Sequence, residues 1–458
     1  MMKNIIKLGL IALLALQVQS CNYNDLEPTD FVGDKDAFSS AKSVEEVTIG
    51  AYSRLSLRTL LTVSEFASDN VYQGGQFGGL GDVSYQWSYT PSNGDHSSIW
   101  SQSYAAINEV NRILENAPAV KAENDADKVS LNNSIGTSYF IRAYSHFVLL
   151  EFFSDCAKED SYGIPYIKKT HTTDLPGRNS VKECFDFILG DLTQAETLLK
   201  DTKPSDPSFA SKAAVYALKA RVFEFRSNWA EAYTWATKAL ELAPLASKAE
   251  YKDIWTDKTN KGLIFRLKRL AGSTPVGTLF YQADNSIAYG PSDSYLACLS
   301  DKDVRKDLFT AMGPDRDGLI LPVVVKYPGP AEARGRNDEK ILRSAEMVLI
   351  QIEALMNQDG KLGSANDLLN SFRKQRIDGY TDVTYTKAQM VEELLLERRR
   401  ELAFEGHRFF DLRRYGKDIE RGGAAKLSEI GYFKYLMPIP YSEIVVNKTI
   451  KDQQNKGY

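Results

Sequence analysis

The chain has 458 residues, a formal charge of −4 and 11% aromatic residues, with acidic and basic side chains well mixed. No long basic run appears, so nucleic-acid binding has no electrostatic footprint. The length suits two or three ordinary domains or one large repeat-built body.

The N-terminus reads as a targeting segment. Lys3 and Lys7 precede an apolar run from Leu8 to Leu16, shorter than the roughly 20 apolar residues a bilayer-spanning helix needs. Val18-Gln19-Ser20-Cys21 then resembles the bacterial lipobox, with Gln19 in place of the usual small residue. The expectation is a signal peptide over 1–20 and a lipidated Cys21, which takes the net charge from −4 to −6 by removing Lys3 and Lys7. Several acyl chains on one Cys anchor a protein stably, at about 0.8 kcal/mol per buried methylene. Residues 21–36 carry Pro28 and Gly33 and read as an extended tether, in which Asp25 and Glu27 are compatible with surface export. The other cysteines, Cys156, Cys184 and Cys298, have no CxxC spacing, which favours buried thiols.

Residues 37–458 read as one domain. A first helix is expected near Ser43–Leu60, with Ser43 as N-cap and Glu46 three residues on. From 64 to 98 the period is lost: Gly74, Gly75, Gly78, Gly79 and Gly81 interleave with Tyr72, Phe77, Tyr85, Trp87 and Tyr89. A loop this long inside a folded body is uncommon and often functional. Helical patterns follow at Ile99–Glu115, Ile135–Phe153 and Ser180–Leu199, the last with a Ser180/Glu183 capping box. Lys212–Arg226 and Trp229–Ala243 form a pair lined by Ala213, Ala217, Ala220, Ala232, Ala236 and Ala239. Small residues there let two helices approach closely, as in the tetratricopeptide signature. Leu342–Met356 with Leu362–Arg376 and Ile135–Phe153 with Ser180–Leu199 are further units, so repeats cover about 99–245 and 340–376. Residues 251–337 are again irregular, holding Tyr281, Tyr289 and Tyr295, with short strands allowed at Leu263–Leu267 and Leu319–Lys326. Lys387–Phe404 is expected to be the final helix, opening a C-terminal signature region over 387–458.

No catalytic constellation stands out. The histidines His96, His146, His171 and His407 lack metal-ligand spacing, and His146 sits in an apolar helix as a core residue would. The glycine cluster lacks the GK[ST] ending of a phosphate loop. Asp315-Arg316-Asp317-Gly318 lacks the further ligands of a calcium loop and reads as a turn. No motif specifies the carboxylate pair of a glycosidase. In the charge-dense final helix, Glu397 with Arg400 and Glu405 with Arg408 can pair at a three-residue spacing; a carboxylate site and a structural buttress are both open, and the buttress is favoured. Ligand contact is assigned to the loop aromatics Tyr72, Trp87, Tyr89, Tyr281, Tyr289 and Tyr295. Each joins an apolar body to a polar tip, which suits the faces and hydroxyls of sugars. The competing reading is that these rings pin long loops onto the helical body.

The segment Glu397–Gly416, ERRRELAFEGHRFFDLRRYG, resembles the C-terminal signature of the SusD/RagB family of nutrient-binding lipoproteins. Tyr435–Pro440, with Glu443 and Asn447, resembles the family's second mark. Phe140–Tyr144, Gly163–Tyr166, Arg178–Val181, Lys212–Ala214, Ala220–Val222 and Arg343–Glu346 resemble its earlier motifs in order. The Pro that more often follows the Asn is absent here, and so is the Phe-Gly-Asp step before Gly163. The resemblance implies a mainly α fold: helix pairs of tetratricopeptide type in a right-handed solenoid-like body, with long irregular loops and a few short strands. It also implies a non-catalytic cell-surface protein that captures oligosaccharide without a cofactor and passes it to a TonB-dependent outer-membrane barrel of the SusC type. A scaffold binding only proteins or peptides and a glycosidase are the alternatives.

Overall fold

The structure, a computed structural model, describes residues 34–458 except 77, 171–172, 201–205 and 423–425. The expected signal peptide, Cys21 and Phe77 lie outside the described residues.

Chain entry differs from expectation. Helix α1 spans Ala41–Ala51 and is capped by Ser40, not Ser43: the Ser43 amide donates to Ser40 Oγ at 3.2 Å and the Ser40 amide to Ser43 Oγ at 3.0 Å. The helix stops near Tyr52 and a second one, α2 (Leu57–Ser64), restarts behind the N-cap Ser56. The restart is fixed from outside, because the Leu57 amide donates to the buried Glu339 carboxylate at 2.7 Å.

The body is a run of packed helices: α3 (His96–Asn116), α4 (Asp125–Phe153), α5 (Val181–Leu198), α6 (Lys212–Phe225), α7 (Trp229–Leu242), α8 (Ser344–Met356), α9 (Leu362–Lys374), α10 (Lys387–Leu402) and α11 (Arg408–Arg414). Neighbours stack α3 on α4, α4 on α5, α6 on α7, α7 on α8, and α8 on α9 and α10. The alanines read as a close helix–helix seam, 213, 217 and 220 on α6 and 232, 236 and 239 on α7, are all fully buried. The Ser180/Glu183 capping box of α5 is present as expected. Helix α4 starts ten residues earlier than its apolar period suggests, because Asn124 caps it by accepting from the Asp127 amide at 2.9 Å. Its first turns face water and carry no apolar stripe. Short helices follow α10, so it is not the last.

Strands pair in three two-stranded antiparallel sheets: β1 (Val71–Gln73) with β3 (Tyr289–Pro291), β2 (Leu263–Leu267) with β6 (Glu339–Arg343), and β4 (Thr310–Pro314) with β5 (Ile320–Val324). Strand β6 holds Leu342, which the helical pattern had claimed. It escapes recognition because its charged residues are buried as ion pairs, Lys340 with Asp257 at 2.5 Å and Arg343 with Glu405 at 2.6 Å. Asp315–Gly318 is the β4–β5 turn, with Asp315 Oδ1 accepting from the Asp317 and Leu319 amides. His146 is a core residue stacked 3.7 Å from Tyr166; burial lowers it to about 3. Cys156 and Cys184 are buried free thiols, and burial pushes both up to about 12.

The charges of α10 point inward. Glu397 pairs with Arg305 at 2.7 Å and Arg373 at 2.8 Å, and more weakly with Arg400 at 3.3 Å. Burial alone would raise Glu397, but Arg305 and Arg373 outweigh it and hold the carboxyl down to about 2. Glu401 meets Arg343 and Arg376 at 3.0 Å and Arg305 at 3.4 Å. The expected Glu405–Arg408 pair does not form. Glu405 takes Arg343 and Lys326 (2.7 Å), while Arg408 reaches across to Asp69 at 2.8 Å. These contacts tie α10 to β6, to the segment before β4 and to the first loop, which is the buttress reading.

One carboxyl pair in this layer titrates. Glu224 and Glu353 are both buried and share Arg414. Burial raises Glu224, only partly offset by Arg398 and Arg414; Glu353 is also penalised by burial, but Arg414 outweighs it and the group is lowered. The raised group stabilises the fold while protonated, so its contribution is complete below the ordinary glutamate range and is lost as pH rises through the raised value. Glu224→Gln, neutral at all pH, is expected to remove a loss on the order of 1–3 kcal/mol between about pH 5 and pH 8. Urea denaturation of both proteins at the two pH values checks it; parallel losses would show that the pair holds no proton.

Candidate loop-face site

The two irregular segments, far apart in sequence, meet on one face. Strand β1 from the first pairs with β3 from the second, Gln73 opposite Tyr289 and Tyr72 opposite Gly290. A Cβ at Gly290 would lie 2.2 Å from the Tyr72 ring, so the register needs glycine there. Tyr289 is buried, stacks on Phe66 at 3.7 Å and donates to the Leu80 carbonyl at 2.6 Å. Gly81, at φ +66°, lies against that same Phe66 ring.

This frame explains most of the sequence-chosen aromatics. Trp87 is buried and donates its indole N–H to the Ala67 carbonyl at 2.8 Å, in a left-handed backbone at φ +51°. Tyr89 is buried and donates to the Lys434 carbonyl. Tyr281 donates to the Pro314 carbonyl at 2.8 Å beneath the Arg334 guanidinium. Tyr295 is buried against Phe404, ring centroids 5.0 Å apart. With Tyr289, five of the six rings are spent inside the body and offer no face to a ligand in this conformation. Only Tyr72 stays half-buried, its hydroxyl 3.3 Å from the Pro322 carbonyl. The aromatics pin the loops, as the competing reading held.

What the loop face presents instead is a polar cluster around one ring. Gln73 Nε2 donates to Asp82 Oδ1 at 3.1 Å and to the Tyr289 hydroxyl at 3.3 Å, and Gln86 Nε2 donates to the same carboxylate oxygen at 2.6 Å. Tyr85, half-buried, lies 5.8 Å from Tyr289. The Arg421 guanidinium lies 4.0 Å over the Tyr85 ring and 4.1 Å over Trp87, while donating to the Phe66 and Ser68 carbonyls. Burial lowers Arg421 to about 10, so it remains a cation at neutral pH. Beside this cluster, Gln76 joins the β4–β5 turn by donating to Asp317 at 2.8 Å. Gln86 is exposed; Gln73, Asp82 and Tyr85 are half-buried. Two amides, a carboxylate and a partly open ring can hydrogen-bond sugar hydroxyls in both senses while covering an apolar ring face. No sequence pattern singled out Gln73, Asp82, Gln86 or Arg421; the nearest signal was two glutamines flanking a glycine-rich loop. No group of three or more His, Cys, Asp or Glu able to hold a metal occurs among the described residues.

The likeness to other proteins is consistent along the chain. Residues 22–223 match the SusD-like family described as starch-binding and associating with the outer membrane, and residues 323–458 match the SusD family. Two proteins of Formosa agariphila, SusD-like protein P2 and SusD-like protein P38, are each 23% identical to it; the first match covers 99% of both chains and the second 81% of both. A SusD superfamily protein from Bacteroides vulgatus superposes with a TM-score of 0.80 at 22% identity over 92% of this chain and all of that one. A SusD-like carbohydrate binding protein from the same species gives 0.79 at 19% identity, over 92% of this chain and 99% of that one. Surface glycan-binding protein A from Bacteroides fluxus gives 0.73 at 20% identity, over 92% of this chain and all of that one.

Proposed function

The chain belongs to the SusD/RagB family, and from that premise we propose that it is a non-catalytic glycan-binding protein of the outer membrane whose loop face captures oligosaccharide. The observation carrying this reading is the cluster of Gln73, Asp82, Gln86 and Tyr85 held in place by Arg421 and Tyr289. Relatives of matching fold bear carbohydrate-binding and glycan-binding names, which supports the ligand class. Asp82 already accepts from two amides, a ligand-holding arrangement more than that of an acid or base awaiting a proton. A lipid at Cys21 would hold the body at the membrane, outward-facing, and a TonB-dependent barrel of the SusC type would receive the captured chain.

Affinity electrophoresis of residues 22–458 against starch, xylan, mannan, laminarin and host glycans tests the reading. One polysaccharide class is expected to retard the protein. Tyr85→Ala and Gln86→Ala are each expected to weaken that binding about five- to tenfold, the scale of one lost hydrogen bond or ring contact. Retardation by none of them, or retardation indifferent to both substitutions, would overturn the loop-face assignment.

A further inference from the structure

A cleft of about 670 Å³ lies apart from the loop face, between α3, the segment following α4 and the C-terminal tail. It shares no lining residue with the cluster around Asp82. Trp100, Tyr104 and Asn108 follow one another at four-residue spacing along α3, so they line one strip of that helix. The Trp100 and Tyr104 rings touch, centroids 4.9 Å apart, and the Tyr104 hydroxyl is fixed by donating to the Pro165 carbonyl at 2.8 Å. Glu443, half-buried on the tail, accepts from the Trp100 side chain, and burial raises its carboxyl. The tail is clamped to the opposite wall where Asn447 Nδ2 donates to the Pro176 carbonyl at 2.9 Å. Three distant parts of the chain therefore fix the walls of the cleft, as in a preformed site of ordinary ligand size.

Two of the polar side chains lining it are unspent. The Asn108 amide and the Lys169 ammonium are exposed and carry no side-chain hydrogen bond or ion pair among the described residues. Among the lining residues Lys168 and Lys169 offset Asp174 and Glu443, so no net charge selects for an ionic ligand. An aromatic wall flanked by a free amide, an ammonium and a carboxylate offers donors and acceptors close together beside an apolar surface. A chain of hydroxyl-bearing rings meets both demands, whereas a peptide would also seek a free strand edge or deep apolar side-chain pockets.

We propose that this cleft is a second saccharide-binding site, taking an uncharged oligosaccharide whose ring lies against Tyr104 and whose hydroxyls reach Asn108 and Glu443. The proposal rests on the glycan-binding reading for its ligand class, but not on the loop face for its place.

The test uses the indole N–H resonances of the five tryptophans in ¹⁵N-labelled residues 22–458, with Trp100 assigned from Trp100→Phe. The probes are maltoheptaose, xylohexaose, mannohexaose, laminarihexaose and chitohexaose. At least one is expected to shift the Trp100 resonance, to do so equally in Tyr85→Ala/Gln86→Ala, and to bind at least about fivefold more weakly at the cleft in Asn108→Ala, an exposed change that leaves folding intact. A Trp100 signal unmoved by every probe, while one of them still binds the loop face, overturns the second site and leaves the first standing. A shift that vanishes in the loop-face double variant is transmitted from elsewhere and overturns it too. If no probe binds anywhere, both readings fall.

Discussion

Glu401→Ala is expected to destabilise the protein by about 3–5 kcal/mol, the cost of removing one partner from a buried ion pair. Its carboxylate is wholly buried and is contacted by Arg305, Arg343 and Arg376, with the Tyr251 hydroxyl donating at 3.0 Å. Among the described residues Arg376 would keep no other ion pair, and Arg305 and Arg343 would keep only Asp303, Glu397 and Glu405. Glu401→Gln fills the same volume and keeps an acceptor, yet is expected to lose most of the same stability, because the charge does the holding. Urea denaturation of wild type and both variants measures this. A loss below about 1 kcal/mol for Glu401→Ala would mean that the arginines find other partners or water, and that the layer is not a buttress.

Tyr289→Ala is expected to abolish saccharide binding at the loop face and to lower stability by about 3–5 kcal/mol, as deletion of a large buried ring does. The ring stacks on Phe66 and lies opposite Gln73, so its loss releases both loop segments together. Tyr289→Phe keeps the stack and gives up only the bonds to Leu80 and Gln73, costing about 0.5–1.5 kcal/mol and leaving binding largely intact. Parallel denaturation and affinity electrophoresis separate the two effects. Retained binding in Tyr289→Ala would show that the cluster around Asp82 needs no support from the second segment.

The helical frame was readable from the chain because its signals are local. The Ser180/Glu183 box and the alanine seam of α6 and α7 are properties of a few neighbouring residues, and both are in place. The failures are non-local. Helix α2 starts where a carboxylate 282 residues away takes the Leu57 amide. Strand β6 went unread, and the partners that neutralise its buried charges, Asp257 and Glu405, lie elsewhere in the chain. The burial of the loop aromatics was hidden for the same reason. A tyrosine among glycines looks free until the carbonyl it bonds to is known, and for Tyr89 and Tyr281 those carbonyls belong to Lys434 and Pro314. Arg421, which steadies the candidate site, carried no sign of that role because its target lies more than 300 residues upstream.

The glycines of the first loop fall into two kinds. At positions 74 and 81 an added Cβ would strike the Ile287 carbonyl oxygen at 2.0 Å and the Phe66 ring at 2.2 Å, while at 75, 78 and 79 it would meet nothing within 4 Å. The first kind is locked by its neighbours; of the second, Gly75 is free, while Gly78 and Gly79 face open space but keep a left-handed backbone, φ +63° and +82°, that favours glycine. A lineage can therefore lengthen or recompose the rim of the face without relearning how to fold. Descendants of one ancestral scaffold can come to admit different molecules while every strand, stack and ion pair behind the rim stays as it was.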